Sequence, residues 1–589
     1  MYKNYRLVRE IMDPAYVKSI GADTLPDFCA ELRQELIEII SKTGGHIGVN
    51  LGVIELTTAL YHVFDFPEDS LVWDIGHQVY VQKMLTERLP LLREIRVNGG
   101  APGYAFRPES PYEAVTSSHA GAALSLALGA AKAFELQGKS NISVAVIGDG
   151  SFVEGSNQEA LNHLAVDKGR LLYVLNDNEM ALDENFGGWH EHFKKITRDP
   201  NAANIFKELG LRYEGPIDGH DIGALIAKLN EIKDTLEGPT VLHVKTVKGK
   251  GLETMAEKSP VRIHWNFPFD TGTLENTEGP KSKSHAAVFA ETMHEVLEED
   301  KDVFVVTPAT LQNTGIYGLS RKYPERVLDV GMAEQHAVTF GGGLALRGVK
   351  PIVCFEATFL QLTYDQIVHD LCISDLPVMM VAARSGHTGL DHVTHHAMLD
   401  LSYLRAVPNL RIVYPATQAD LAECVKTEVA NLAHPTLVLF PYGGIIDDPD
   451  GDVVIDRKLA GFTPSADTLI LSVGMQNRYG QLAQAALEKD HGIKADHICL
   501  TEVSDLNEAI VALLPQYGHV VTLEENVLPG GIGAAVLEAC NALEGTAPAV
   551  QRFGFPKQFI EHGTRDYIYR QYGLDTDSVC AKIAKTLKG

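Results

Sequence analysis

Positive charge is in deficit: 51 Lys and Arg stand against 77 Asp and Glu, a formal charge of −26. That balance argues against a nucleic-acid binder or a polybasic membrane anchor. It leaves anionic substrates open, because a cleft is governed by its local charges. Long apolar runs are missing too, and none approaches the roughly 18 residues of a membrane span. The N-terminal stretch MYKNYRLVREIMDP has no apolar core of signal-peptide length. Cysteine is scarce and dispersed: Cys29, Cys354, Cys372, Cys424, Cys499, Cys540 and Cys580 form no CxxC pair. Such a set reads as buried free thiols in a reducing compartment. A cytoplasmic protein without nucleic-acid or membrane partners is expected.

What is present is ordinary globular composition, 45% hydrophobic and 22% charged, in a chain of 589 residues. That length is too great for one hydrophobic core. Apolar strands alternate with helical patterns, which gives an α/β class with mostly parallel sheets. Three consecutive α/β domains are expected: 1–265, 286–442 and 466–589. The Pro-, Gly-, Ser- and Lys-rich stretch 266–285 reads as a linker, as does 443–465 with its Asp447-Asp448-Pro449-Asp450-Gly451 run.

In the first domain a helical pattern ends on Gly44-Gly45. His46 to Gly52 then reads as a glycine-punctuated turn before a helix from Val53 to Val63, with the His46 imidazole able to face a cleft. A short apolar strand runs into Gly76-His77, and the ends of such strands are where open α/β sheets bind ligands. His119 precedes a small-residue helix, Ala122 to Ala133, whose free N–H groups would suit a diphosphate.

The strongest signal follows. A strand, Ile142 to Ile147, leads into Gly148-Asp149-Gly150-Ser151, then a helix, then a strand from Leu171 to Leu175 ending in Asn176-Asp177-Asn178-Glu179-Met180. Strand-GDG-helix-strand-NDN is the pattern of a thiamine-diphosphate site. Asp149, the side-chain oxygen of Asn178 and a backbone carbonyl near Met180 are hard oxygen ligands suited to octahedral Mg²⁺. Lys248, set among alternating glycines, could reach a phosphate; a solvated lysine run is the plain alternative.

In the second domain the stretch Asp329 to Phe340, DVGMAEQHAVTF, places Glu334 behind an apolar lead-in. It is read as an acid at a strand end, followed by a Gly341-Gly342-Gly343 helix packed closely on a sheet. His387, His392, His395 and His396 crowd together without the helical spacing of a metal site, so substrate contact is the preferred reading. The Gly530-Gly531-Ile532-Gly533 turn is glycine-rich, but no GxGxxG pattern supports a dinucleotide there.

GHQ at Gly76–Gln78, the GDG turn, LNDNEM, AEQHAVTF, TFLQ…YDQ…HD (Thr358 to Asp370) and DLSYLRAVPN (Asp400 to Asn409) together resemble the 1-deoxy-D-xylulose-5-phosphate synthase family. These are transketolase-like thiamine-diphosphate enzymes, and the likeness covers essentially the whole chain. It implies a cytoplasmic homodimer with three transketolase-like domains. It also implies a transferase that joins pyruvate to glyceraldehyde 3-phosphate with loss of CO₂, feeding isoprenoid, thiamine and pyridoxal biosynthesis.

Carried over by position, the resemblance implies Asp149, Asn178 and Met180 as Mg²⁺ ligands. His77, His119, Gly121, Gly150, Ser151, Asn178 and Lys248 would line the diphosphate side. Phe359 would pack on the aminopyrimidine, and Glu334 would hydrogen-bond its N1′ so that the neighbouring nitrogen can take the thiazolium proton. A desolvated acid in that role should have a raised pKa. His46, His264 and His395 would handle protons on the substrates, and Asp391 would contact them. Both halves of the site would come from one subunit.

Departures gather around the acceptor. The chain is shorter than family members between Asn185 and Glu208. Of two family arginines that hold the acceptor phosphate, Arg384 matches one and Tyr442 stands for the other. A family tyrosine falls on Glu356, a family arginine beside the cofactor ring on Leu362, and HSSTSIS becomes His119 to Ser125, HAGAALS. Losing one bidentate arginine removes a pairing worth about 1.5–3 kcal/mol, and Glu356 would repel a phosphate further. The expected acceptor is therefore less phosphorylated than glyceraldehyde 3-phosphate, or holds its phosphate differently. The alternatives are ketol transfer from a ketose phosphate, suggested by Val153-Glu154-Gly155-Ser156, and a non-catalytic paralogue. A pyruvate-dehydrogenase-type component is opposed by DLSYLRAVPN.

Overall fold

The computed structural model describes residues 5–279, 282–443 and 453–588. Three parallel sheets carry the fold, and the chain divides into two compact units. Among the described residues the first unit holds 5–279, and segments 331–333 and 390–394 pack within it. The second holds the rest.

The first unit is built on β1 (Ser70–Trp73), β2 (Ser143–Gly148), β3 (Leu171–Asp177), β4 (Arg212–Asp218) and β5 (Thr240–Lys245), in the order β1-β2-β3-β5-β4. Every neighbouring pair is parallel. Parallel sheets are covered on both faces, so their strands are continuous apolar runs rather than alternating ones; β3 is buried at every position. Helix Leu25–Thr43 stops at Gly44, which adopts φ 70°.

Residues expected as a turn after His46 instead form a short helix, Ile47–Gly52, followed by a second, Ile54–Val63. Gly48 is needed for close approach rather than for turning: a Cβ there would lie 2.5 Å from the Arg262 carbonyl oxygen. The stretch expected as a linker from 266 is anchored within this unit, because Asn266 and Gly45 exchange backbone hydrogen bonds at 2.9 and 3.0 Å.

The second unit contains β6 (Val303–Thr307), β7 (Val327–Asp329), β8 (Lys350–Glu356), β9 (Met379–Ser385), β10 (Arg411–Val413) and β11 (Thr436–Pro441), in the order β10-β11-β9-β8-β6-β7. It opens with helix His285–Glu299. A third sheet, β12 (Thr468–Ser472), β13 (Ala495–Cys499), β14 (His519–Val527) and β15 (Ala549–Phe555), runs β13-β12-β14-β15. One core cluster joins Leu437 and Leu439 of β11 to Leu469 and Leu471 of β12, so the last two sheets share a hydrophobic interior. The acidic run 447–451 lies outside the described residues.

Candidate active site

The register of β2 against β3 sets Gly148 beside Asn176, so the GDG turn and the NDN end emerge together at one sheet edge. Asp149 is buried there. It accepts the Asn178 N–H at 3.4 Å and the Asn185 side-chain amide at 2.8 Å, while Asn178 Oδ1 accepts the Met180 N–H at 3.0 Å. Burial, then the charge of Asp177, pushes the Asp149 carboxyl up to about 8. Asp177 is buried too, but His243 and Lys245 hold it low. Tyr213 contacts His243 Nδ1 at 2.7 Å, and His243 Nε2 lies 2.8 Å from Asp177 Oδ2, so a polar chain backs this corner. The buried Asp149 carboxylate, with amide and carbonyl oxygens on the neighbouring loop after β3, fits a hard divalent cation such as Mg²⁺, while Asp177 is taken up by His243 and Lys245. Among the described residues no group of three His, Cys, Asp or Glu side chains forms a competing metal centre.

Gly150 admits no side chain: a Cβ would lie 2.7 Å from Ala181 Cβ and 3.1 Å from Met332 Cε. Ser151 is buried at the start of the next helical turn. Lys248 is not a solvated lysine. It is 2% exposed and donates to the carbonyls of Ala181 and Leu182 at 2.7 and 3.3 Å. Burial pushes it down to about 7, against the charges of Asp149 and Asp183.

The helix beyond His119 spans Ala123–Leu136, and its N-terminus is not open to an anion as expected. Asp74 already accepts the N–H groups of Gly121 at 3.0 Å and Ala123 at 3.2 Å. Gly121 itself is required because a Cβ would lie 2.0 Å from Glu154 Oε2. Gly121 therefore shapes the turn, with its N–H directed inward. The glycine-rich Gly530–Gly533 turn repeats the device: Glu524 accepts the N–H groups of Ile532 and Gly533 at 2.8 and 2.9 Å.

Three histidines converge in the first unit. Ring centroids are 5.5 Å apart for His46–His77, 5.5 Å for His46–His264 and 5.0 Å for His77–His264. Tyr104 and Tyr80 hydroxyls lie 3.3 and 3.4 Å from the two His46 ring nitrogens. Burial, then the neighbouring Lys248, drives His264 well below its usual range, which disfavours its protonated form. His392 stacks near Tyr104 at 5.5 Å, and Asp391 pairs with Arg96. His119 Nε2 is 3.4 Å from the Thr394 carbonyl, and Ser118 bonds the Thr394 hydroxyl.

In the second unit Glu334 is not a strand-end acid. It is the buried first residue of helix Glu334–Ala345, where the N-terminal dipole favours a carboxylate. The glycine run after it packs closely as expected; a Cβ at Gly341 would lie 2.8 Å from Val353 Cγ2 on β8. Phe359 and His395 meet edge to face with centroids 6.3 Å apart.

The four clustered histidines separate in space. His392 packs in the first unit and His395 meets Phe359, while His387 and His396 stack at 4.7 Å. His396 Nε2 lies 3.2 Å from the Glu561 carbonyl, and burial pushes it down to about 4.

At the C-terminal end of β8 and β9, Arg384 Nη1 meets Glu356 Oε1 at 3.2 Å and Arg384 Nη2 donates to Asn313 Oδ1 at 3.0 Å. Asn313 in turn donates to Glu356 Oε2, and Tyr442 lies over the guanidinium at 5.0 Å. Asp74, Tyr104, Asn185 and Asn313 escape a reading of the sequence, since each acts through a partner distant in the chain.

A family model described as 1-deoxy-D-xylulose-5-phosphate synthase matches residues 8–205 and 198–246. Models for the transketolase pyrimidine-binding domain and the transketolase C-terminal domain match 281–443 and 463–579. A 1-deoxy-D-xylulose-5-phosphate synthase from Caldanaerobacter subterraneus subsp. tengcongensis is 36% identical over 627 residues, covering 99% of each chain. One from Clostridium kluyveri is 34% identical over 630 residues, again 99% of each. The 1-deoxy-D-xylulose-5-phosphate synthase 2 of Geobacter sulfurreducens is 36% identical over 628 residues, covering 98% of this chain and 99% of that one.

Proposed function

The chain belongs to the 1-deoxy-D-xylulose-5-phosphate synthase family, and we propose on that basis how its own residues divide the work. It is a transferase using thiamine diphosphate and a divalent cation such as Mg²⁺. It decarboxylates pyruvate and passes the remaining two-carbon unit to an aldehyde, glyceraldehyde 3-phosphate being the acceptor the family implies. Ketol transfer and a non-catalytic role are not favoured, because the synthase relatives match across the whole length.

The observation that carries the assignment of residues is the paired end of β2 and β3: a buried Asp149 after β2, the Asn178 amide on the neighbouring loop after β3, and a Gly150 without room for a side chain. Asp149, Asn178 and the Met180 carbonyl would hold Mg²⁺. His77, His119 and Lys248, with the turn Gly150-Ser151, would hold the diphosphate; Lys248 is buried, which disfavours its charge, and an adjacent anion would favour its ammonium form. Phe359 covers the pyrimidine. When bound, the cofactor supplies a carbon nucleophile for the pyruvate carbonyl and spreads the charge left as CO₂ departs.

Glu334 holds the proton at the pyrimidine N1′. His264, whose protonated form is disfavoured, and His46, positioned by Tyr104 and Tyr80, belong to one imidazole cluster that would handle protons on the substrates. His395 delivers the proton that the acceptor carbonyl oxygen takes as the new carbon–carbon bond forms.

The family resemblance supports a homodimer, and the seven cysteines, all buried and unpaired, support a cytoplasmic setting. Among the described residues no helix is long and apolar enough to cross a membrane. The donor tests the reaction assignment. The holoenzyme given glyceraldehyde 3-phosphate should consume pyruvate and leave a ketose phosphate donor untouched; consumption of the ketose phosphate alone would replace this reading with ketol transfer.

A further inference from the structure

The loop that carries Lys248 is tied down on both sides of that residue. Thr246 donates its N–H to the Asp177 carbonyl at 3.0 Å, and Gly249 donates to the Gly48 carbonyl at 2.8 Å. Between them, the Val247 N–H is held by a side chain: it donates to His220 Nε2 at 2.9 Å. His220 stands in the Asp218-Gly219-His220-Asp221 turn at the C-terminal end of β4. Gly219 lets this turn lie against the end of β5, since a Cβ there would be 2.8 Å from the Lys245 carbonyl oxygen.

Two charged groups from separate helices stand behind His220. Its Nδ1 lies 3.0 Å from Glu55 Oε2, on helix Ile54–Val63. Arg33 Nη2, on helix Leu25–Thr43, donates to Glu55 Oε1 at 2.7 Å. The His220 and Glu55 side chains are only 12% and 8% exposed, so neither is oriented by solvent. Burial acts to raise the Glu55 carboxyl, but the His220 hydrogen bond and the Arg33 charge hold it below the ordinary carboxylate range. The partners also fix the tautomer of His220. Nε2 accepts from an amide and so carries no proton, which leaves Nδ1–H to donate to the carboxylate. Guanidinium, carboxylate, imidazole and amide form one line of hydrogen bonds ending at the residue before Lys248. Arg33 also touches the far end of the same loop, where a Cβ at Gly251 would lie 2.6 Å from Arg33 Cδ.

This support matters because Lys248 works from a buried position. It is enclosed, and its Nζ donates to the carbonyls of Ala181 and Leu182. An ammonium in a poorly screened interior depends steeply on the distance to its anionic partner. A displacement of the Val247 backbone carries the next Cα, and therefore Nζ, with it.

We propose that His220 is a positioning residue for Lys248, holding the backbone ahead of it so that the buried amine meets the cofactor diphosphate. Glu55 and Arg33 fix the imidazole in the tautomer and orientation this requires. The inference rests on the reading of Lys248 as a diphosphate-binding residue.

The test is a double-mutant cycle, read by calorimetry of thiamine diphosphate with saturating Mg²⁺ on the full chain freed of cofactor. His220→Ala should weaken binding by about tenfold, the scale on which groups that orient a binding side chain act. In the Lys248→Met background the same substitution should change affinity by less than about twofold, because its effect passes through the lysine. His220→Gln, which offers an oxygen to Val247 and an amide hydrogen to Glu55, should bind within about threefold of wild type. His220→Asn reaches Glu55 but is too short for Val247, and takes the place of His220→Ala if that variant does not fold. Hydrogen exchange at the Val247 amide should quicken in His220→Asn and stay slow in His220→Gln.

Lys248→Met binding as tightly as wild type would refute the diphosphate reading, and the proposal with it. Weakened binding in Lys248→Met, with His220→Ala either silent or equally damaging in both backgrounds, would overturn the positioning role and leave that reading intact. A Val247 amide that exchanges no faster in His220→Asn, or a His220→Gln variant that binds no tighter than His220→Ala, would overturn it as well.

Discussion

The carboxylate of Asp74 accepts the backbone N–H of Gly121 at 3.0 Å, across 47 positions of sequence. With the Ala123 N–H at 3.2 Å, it fills the helix N-terminus that follows His119. Asp74→Ala leaves these donors buried without a partner, at a cost of about 1–3 kcal/mol. Hydrogen exchange should quicken at the amides of Gly121 and Ala123 while strands β12 to β15 keep their protection. Unchanged exchange there would remove Asp74 from this role.

Glu334 is enclosed at the start of its helix, remote in sequence from the Asp149 turn. Glu334→Ala should lower kcat by at least about a hundredfold, within the range that general acid–base groups contribute. Binding of thiamine diphosphate with Mg²⁺, followed by calorimetry, should change by less than about threefold. Near-wild-type turnover would refute the assignment.

Asp149 and Lys248 should show the reverse pattern. Asp149→Ala removes a hard oxygen ligand, and Lys248→Met removes a dehydrated charge while keeping much of the side-chain volume. Each should weaken binding of thiamine diphosphate with Mg²⁺ by tenfold or more, and excess Mg²⁺ should partly offset the Asp149 change. Equal affinity in all three proteins would displace the diphosphate site from this sheet edge.

Asp400 gives a pH dependence that does not involve the cofactor. It is buried, and desolvation pushes its carboxyl up to about 8 despite a hydrogen bond from Ser385. Its unfolded pKa is about 3.9. A carboxyl raised on folding disfavours the ionised native state, so its destabilising effect grows as pH rises from about 4 toward 8 and then levels off. Asp400→Asn removes that ionisation. The Tm of the variant relative to wild type should therefore rise across this window; a difference independent of pH would show that Asp400 does not titrate as described.

Much of this arrangement is legible in the chain, because a parallel sheet writes each buried strand as an apolar run and places its ligands at the following residues. That Asp149 and Asn178 emerge side by side after β2 and β3 follows from that rule. What is not legible depends on contacts between distant positions. Asp74 looks like a loop acid until its partners at 121 and 123 are known. Gly48 looks like a turn residue, but it exists to let a helix approach the Arg262 carbonyl. Glu356 suggests repulsion of a phosphate, yet nothing near it in sequence shows that Asn313 locks it against Arg384. The four histidines are close in sequence, but a turn through Gly389 and the 390–394 segment sends them to three separate places.

The most direct test is the stoichiometry of CO₂ released from labelled pyruvate against ketose formed, with thiamine diphosphate and Mg²⁺ present and an aldehyde as acceptor. One CO₂ per molecule of a 1-deoxyketose, with both falling together in Glu334→Ala, is the expected result. Ketose formed without CO₂, or no release from pyruvate with either glyceraldehyde or its 3-phosphate, would contradict it.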